Sequence, residues 1–347
     1  MGKEVYGQEL TFEKAELACT EAPALSSEDI GGHTNGNRLG FDLGGSDRKC
    51  AAVIDGEVVF SEEIPWSPYF ESDPAYHIEG IRDSIARAVK HLPSVDAIGG
   101  SAAGIYINSE PRIASLFRGL TPEALDEVVR PFFRKLGSEW DDVPFLVAND
   151  GDITALAGAM MLGEGEYLGI SMGTSMACGY VDKDRRITSM LNELAFVPVD
   201  FQENGAVDEW SGDAGCGVQY FSQQAVARLA KVAGIPVDPK KPMAETLEEV
   251  QELAEEGDED AKKVFTTIGV YLGHSLAQFT EHYEIKHVLL LGRVLSGVGG
   301  EWIIEQAKEV LQVEFPELAE QIQISVPDDR LRRHGQAIAA ASLPAID

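Results

Sequence analysis

The chain has 347 residues, more than one typical hydrophobic core accommodates, so two lobes are expected. Its 28 basic and 58 acidic residues leave a formal net charge of -30, which argues against nucleic-acid partners and anionic membrane surfaces and predicts a soluble, self-repelling surface. No segment reaches the roughly 18 apolar residues of a membrane span. The N-terminus carries no basic-then-apolar leader, and Cys19, Cys50, Cys178 and Cys216 show no disulfide or zinc spacing. A reducing cytoplasm is the expected location.

Residues 1–37 are mixed and acidic and end in the turn formers GGHTNGN; they read as an extension of uncertain order. Three strand-like runs follow, Leu39 to Leu43, Cys50 to Ile54 and Val58 to Phe60, joined by Gly44–Gly45 and by the hairpin dipeptide Asp55–Gly56. The pattern then switches to strands alternating with helices. Ile78, Ile81, Ile85 and Val89 keep helical spacing, and VDAIGGSAAG reads as a buried strand entering a small-residue loop. Thr121–Pro122 starts a helix, PFLVAND is a strand, and a helix runs from about Asp152 to Leu162. From Glu166 the block repeats: strands, helices from about Val218 and Asp258, the strand HVLLLG, a helix from about Gly300, the strand QISV and a helix from about Arg333. A meander followed by βαβα in both halves predicts a duplicated α/β architecture with mixed sheets.

Two stretches look like versions of each other: GFDLGGSDRKCAAVID from Gly40 and GISMGTSMACGYVDKD from Gly169. Glycines in such turns let the backbone reach positive φ and bring N–H groups to an anion, with serine and threonine hydroxyls beside them. One in each half suggests a duplicated fold that grips an anion. Neither a P-loop nor a GxGxxG motif is present. Gly169-Ile170-Ser171-Met172-Gly173 matches a GxSxG nucleophile elbow, but the small and β-type residues after it predict a hairpin instead of the required helix. His274, inside a long helix, reads as a packed residue.

In order and spacing, GFDLGGSDRK, VANDGDITALAGAMMLG, GISMGTSMACG and HVLLLGRVLSG resemble the motifs of the ROK family, bacterial glucokinase-like sugar kinases of the actin and hexokinase superfamily. The resemblance covers about Arg38 to the C-terminus. It implies a two-lobe actin-like ATPase (ribonuclease H-like) duplicated fold whose lobes close over a cleft. The small lobe would span 38–151 plus 331–347 and the large lobe 152–330. It also implies transfer of the γ-phosphate of ATP, with Mg²⁺, to a hydroxyl of a hexose or related sugar by a homodimer.

Asp150, between a strand end and a helix, is on its own either an N-cap or a site carboxylate; the flanking motifs favour the general base, with Asn149 holding a neighbouring hydroxyl. The resemblance assigns the sugar pocket to Ser101, Ala102 and Gly104 and to Glu193, with Asp213 nearby. Asp42 would orient Mg²⁺ through water. Phosphates would meet the amides of Gly44, Gly45 and Ser46 and of Gly173, Thr174 and Ser175, and Gly292, Arg293 and Gly297 would flank the adenine. Departures are visible. Trp210, Asp213 and Gly215 lie where the family has a cysteine-rich zinc loop, which here keeps only Cys216, and Phe196 replaces a zinc-binding histidine, so no zinc site is expected. Asp47 stands near a basic position of the first loop, beside Arg48 and Lys49, and Ser175 replaces a glycine. A non-catalytic sugar or nucleotide sensor of the same fold is the alternative.

Overall fold

In the computed structural model, which describes residues 2–11, 13–14, 30–209, 211–327 and 335–346, the chain divides into two units. The first comprises Met1–Met161, Arg185–Leu191 and Asp329–Asp347, the second Leu162–Asp184 and Asn192–Asp328. Residues 15–29 of the acidic extension, including Cys19, lie outside the described residues. Its start forms a short helix, α1 (Gly2–Tyr6), which buries Val5.

The first unit is built on the expected meander, β1 (Asn37–Leu43), β2 (Asp47–Ile54) and β3 (Glu57–Pro65). Asp55 and Gly56 both take positive φ, 48° and 84°, as a tight hairpin matched to strand twist requires. In α2 (Pro74–Val89), Asp73 caps the first turn and Ile81, Ile85 and Ala88 form the buried stripe. Then come β4 (Ala97–Ala102), the hairpin β5 (Ile105–Ile107) and β6 (Glu110–Ile113), and α3 (Pro122–Ala124), capped by the Thr121 hydroxyl as the Thr-Pro signal predicts. A helical stretch continues into α4 (Arg130–Leu136), and β7 (Phe145–Asn149) leads into α5 (Asp150–Leu162). The sheet order is β3-β2-β1-β4-β7, with β1, β4 and β7 parallel. Leu39, Phe41 and Leu43 of β1 meet Ile81, Ile85 and Phe133 in its core.

The second unit contains the hairpin β8 (Tyr167–Met172) and β9 (Met176–Val181), then α6 (Gln223–Ala233), α7 (Met243–Glu255), α8 (Glu259–Phe279), β10 (His287–Leu291), α9 (Gly297–Glu314), α10 (Pro316–Gln321) and β11 (Gln323–Ser325). Its sheet order is β11-β10-β8-β9. Read as β9-β8-β10-β11 it repeats β2-β1-β4-β7: one antiparallel pair, then two parallel strands. The duplication read from the sequence is therefore present. The second meander has two strands among the described residues, where the first has three. Ser171 sits in β8 and pairs with Ala177 across the hairpin, so the strand-to-helix elbow of a serine hydrolase does not exist here.

The last helix, α11 (Gln336–Ala341), returns to the first unit and lies on β1 and β4. The approach is so close that a Cβ on Gly40 would fall 1.8 Å from the Ala337 carbonyl oxygen, and one on Gly99 would fall 1.7 Å from that of Ala340. Arg38, fully buried, donates to the carbonyls of Asn35 and Pro344 at 2.6 and 2.7 Å and ties the end of the chain to the start of β1.

Candidate active site

Side chains at the carboxyl ends of parallel strands gather where an open α/β sheet binds ligands. In the first unit, strand register lines up Glu63 of β3, Lys49 of β2, Asp42 of β1 and Ser101 of β4 as successive cross-strand partners. Asp42 is buried; its Oδ1 accepts the Ser101 hydroxyl at 2.6 Å, and its Oδ2 lies 3.9 Å from Lys49 Nζ. Burial pushes the Asp42 carboxyl up, against the pull of Lys49 and Ser101. Burial also works against the Lys49 charge, but Asp42, Asp47 and Glu63 outweigh it and hold the ammonium above the usual lysine range.

Lys49 continues to Asp47 at 3.5 Å, and Asp47 accepts the Ser46 hydroxyl at 2.9 Å. A polar chain thus runs from the first glycine turn to the strand ends. Arg48, which the sequence put beside that turn, points to α2 and bonds Asp83 and Ser84. The turn differs from expectation in two respects. Gly44 and Gly45 do not take positive φ; glycine is needed at 45 because a Cβ would come within 2.3 Å of the Tyr69 oxygen. The Gly44 amide closes the hairpin onto the Asp47 carbonyl, so Gly45 and Ser46 are the turn's remaining donors. Trp66 braces it from the side, donating to the Gly44 carbonyl at 2.8 Å.

Asp150 follows β7 as the first residue of α5, where the helix dipole favours a carboxylate. Burial and the neighbouring Asp42 charge push its carboxyl up to about 6 despite a hydrogen bond from the Gly151 amide. That value suits a base that takes a proton near neutrality. Asn149 beside it is largely committed: its Nδ2 donates to the Gly104 carbonyl at 2.7 Å and its Oδ1 accepts from the Gly151 amide at 2.7 Å. Gly104, at φ 123°, lets the loop pass against Ile113 and Ala114. Ser101 and Ala102 are fully buried, and Ser101 donates its hydroxyl to Asp42. Two aromatic residues absent from the sequence reading, Tyr69 and Tyr106, lie in the field of Asp150, whose charge raises both phenols in addition to burial. Their signal was hidden because they sit far apart in the chain and away from any motif.

In the second unit, the Gly173 amide likewise closes its hairpin onto the Ser175 carbonyl at 2.9 Å, leaving Thr174 and Ser175 exposed at the tip. Gly292, at φ 108°, rests against this hairpin: a Cβ there would lie 2.3 Å from the Met172 carbonyl oxygen. So the unit does bring the second glycine turn to the HVLLLG loop. Arg293 is exposed, and its carbonyl accepts from Gln251 of α7 at 2.8 Å. Gly297 faces Glu255, whose carboxylate accepts the Val298 amide at 2.9 Å and caps α9. The helix supplying Gln251 and Glu255, α7, is missing from the sequence reading. Its acidic run disguised a stripe of Leu247, Val250 and Ala254.

A family model for the ROK family matches residues 38–330. The chain belongs to the ROK family. Solved structures with the same fold include a ROK glucokinase from Streptomyces griseus in complex with glucose and AMPPNP (TM-score 0.66, 19% identity, 88% of this chain and 98% of that one). A ROK hexokinase from Thermus thermophilus gives 0.66, with 21% identity over 88% of this chain and 97% of that one. A ROK family transcriptional regulator, a homologue of the Escherichia coli MLC protein, gives 0.64 at 18% identity over 88% of this chain and 77% of that one. No curated protein matches the sequence. The fold is the two-lobe actin-like ATPase fold, duplicated with mixed sheets.

In the segment where the ROK resemblance places a zinc loop, two carboxylates gather hydrogen bonds. Asp208, buried, accepts the Ser211 amide at 2.8 Å and Gln219 Nε2 at 3.3 Å. Asp200 accepts the Tyr220 and Tyr271 hydroxyls at 2.5 and 3.2 Å and the Gln202 amide at 3.0 Å. Partial burial pushes the Asp200 carboxyl up, but these bonds outweigh it and hold it below the usual range. Cys216 is buried and pairs with Pro198 in an isolated bridge beside Gly215; Trp210 lies outside the described residues. Among the described residues no group of three or more His, Cys, Asp or Glu could hold a metal ion. Asp213 is exposed, and Glu193 precedes a short helical turn at Leu194–Phe196. His274 packs edge-on to Phe315. Among the described residues no helix is long and apolar enough to cross a membrane.

Proposed function

We propose that this ROK protein is an ATP-dependent sugar kinase that transfers the γ-phosphate to a hydroxyl of a hexose or related sugar, with Asp150 as general base. The observation that carries the reading is Asp150 itself: a carboxylate at a strand end and helix start, half-buried, with the buried acid Asp42 close enough to help push its carboxyl up. Asp150 takes the proton of the attacking hydroxyl, and the remaining amide hydrogen of Asn149 can orient a neighbouring oxygen. Backbone donors at Gly45–Ser46 and Thr174–Ser175 suit phosphate oxygens, and the nucleotide belongs with the Gly292–Arg293 loop.

The donor set of Asp42, one buried carboxylate with a second nearby, fits Mg²⁺ held through its own waters. Bound there, Mg²⁺ would neutralise phosphate charge. Lys49 already keeps a positive charge against Asp42, at the same strand end.

The test is ADP formation from ATP across a panel of hexoses, amino sugars and polyols. ADP should appear only when an accepted sugar is present. A sensor reading has one specific support: the amides of Gly44 and Gly173 and the start of α9 already have partners within the chain. Calorimetric sugar binding with no ADP formed from any donor, polyphosphate included, would select the sensor.

A further inference from the structure

Tyr69 lies against the first glycine turn and within the field of Asp150. Its oxygen and ring lie so close to Gly45 that an added Cβ would be 2.3 Å from the oxygen and 2.4 Å from Cζ. The ring is held from outside by the Arg118 guanidinium, 4.2 Å from its centroid, which also covers Phe70 at 4.6 Å. The Tyr69 hydroxyl has the Ser115 side chain as a hydrogen-bond partner, and burial and the Asp150 charge keep it protonated at neutral pH. A phenol thus stands against the same turn that carries the Gly45 and Ser46 amides.

We propose that Tyr69 is a further catalytic residue, its hydroxyl donating a hydrogen bond to the oxygens of the phosphoryl group in transit. The inference rests on the kinase reading above. In that step the O–H bond of the sugar hydroxyl breaks and its proton passes to Asp150. The sugar oxygen forms a bond to the terminal phosphorus of the nucleoside triphosphate. The bond from that phosphorus to its bridging oxygen breaks, and the electron pair leaves with the nucleoside diphosphate. Tyr69 gives up no proton. It stabilises charge that spreads over the phosphoryl oxygens, and a fixed donor in a desolvated site is worth most at that moment.

Tyr106 provides the internal control. Its hydroxyl also lies in the field of Asp150, but it is enclosed and has no hydrogen-bond partner among the described residues, so it does not reach a substrate.

The experiment compares full-length wild type, Tyr69→Phe, Ser115→Ala and Tyr106→Phe with ATP, Mg²⁺ and the best acceptor of the sugar panel. It measures kcat, KM, calorimetric acceptor Kd and melting temperature. Tyr69→Phe keeps the ring and should melt like wild type, with kcat lowered about 10- to 100-fold and acceptor Kd within about twofold. Ser115→Ala should lose less in the same direction, and Tyr106→Phe should keep wild-type kcat. An unchanged kcat in Tyr69→Phe overturns the proposal while leaving the kinase intact. So does a faster one, which would make the ring an obstruction of the turn, or a loss explained wholly by weaker acceptor binding. A wild type silent towards every acceptor overturns the kinase reading and Tyr69's role with it.

Discussion

Asp150 carries two opposite consequences of one environment. Its raised pKa requires the protein to hold extra protons in the native state between the ordinary carboxyl value of 3.8 and about 6, so ionising it costs stability as pH rises through that window. Asp150→Asn should therefore raise stability at pH 8 by about 1–3 kcal/mol, discounted for partial exposure, and leave it unchanged near pH 4. Calorimetric melting at the two pH values reads this directly. The same substitution should lower kcat by orders of magnitude with little change in sugar Kd. In wild type, kcat/KM should climb as pH rises through about 6 and then level; a profile flat from 5 to 8 would remove Asp150 as the base. Asp42 and the Gly151 amide act on Asp150, and Asp150 in turn acts on Tyr69 and Tyr106; only the acids were legible beforehand. Asp42 and Asp150 announce themselves by standing at strand ends beside glycines. Tyr69 gives no local signal, because its meaning comes from a loop folding back over Gly45. The bond from Ser101 to Asp42 is hidden for the same reason, because it comes from the pairing of β4 with β1 and not from the local run of small residues.

At the scale of elements, apolar periodicity and turn dipeptides made β1, β2, α2, β7, α5 and β10 readable, since local pattern and tertiary burial agree there. The glycines of β1 and β4 read differently once packing is known. Gly40 and Gly99 look like strand-weakening residues, yet they are where the α11 backbone touches the sheet. Gly40→Ala or Gly99→Ala should displace α11 and lower stability by about 2–4 kcal/mol, scored as a lower denaturant midpoint. An unchanged midpoint would show that the helix moves off freely. The segment around Gly297–Gly300 shows the reverse difficulty. Glycine propensity moved the expected start of α9 to Gly300, while Phe265 and the Leu295 carbonyl require those glycines inside the helix.

For the whole molecule, the net charge of -30 puts like charges within one another's reach over much of the surface. Raising NaCl from about 10 mM to about 1 M shortens the screening length from about 30 Å to about 3 Å, and the melting temperature should climb accordingly. A melting temperature that stays flat or falls would show that ion pairs such as Arg82–Glu139 outweigh the repulsion.

The return of α11 to β1 has a further cost in time. Arg38 and Pro344 are bonded across 306 positions of sequence, and all of the second unit lies between them. A ribosome therefore releases β1 and β4 with their glycine faces bare and must finish the other unit before the covering helix exists. Contacts of such long range fold slowly, and an uncovered sheet face is a site for wrong pairing. For most of its synthesis, then, the half of the molecule that carries Asp42 and Asp150 lacks the helix that closes its sheet.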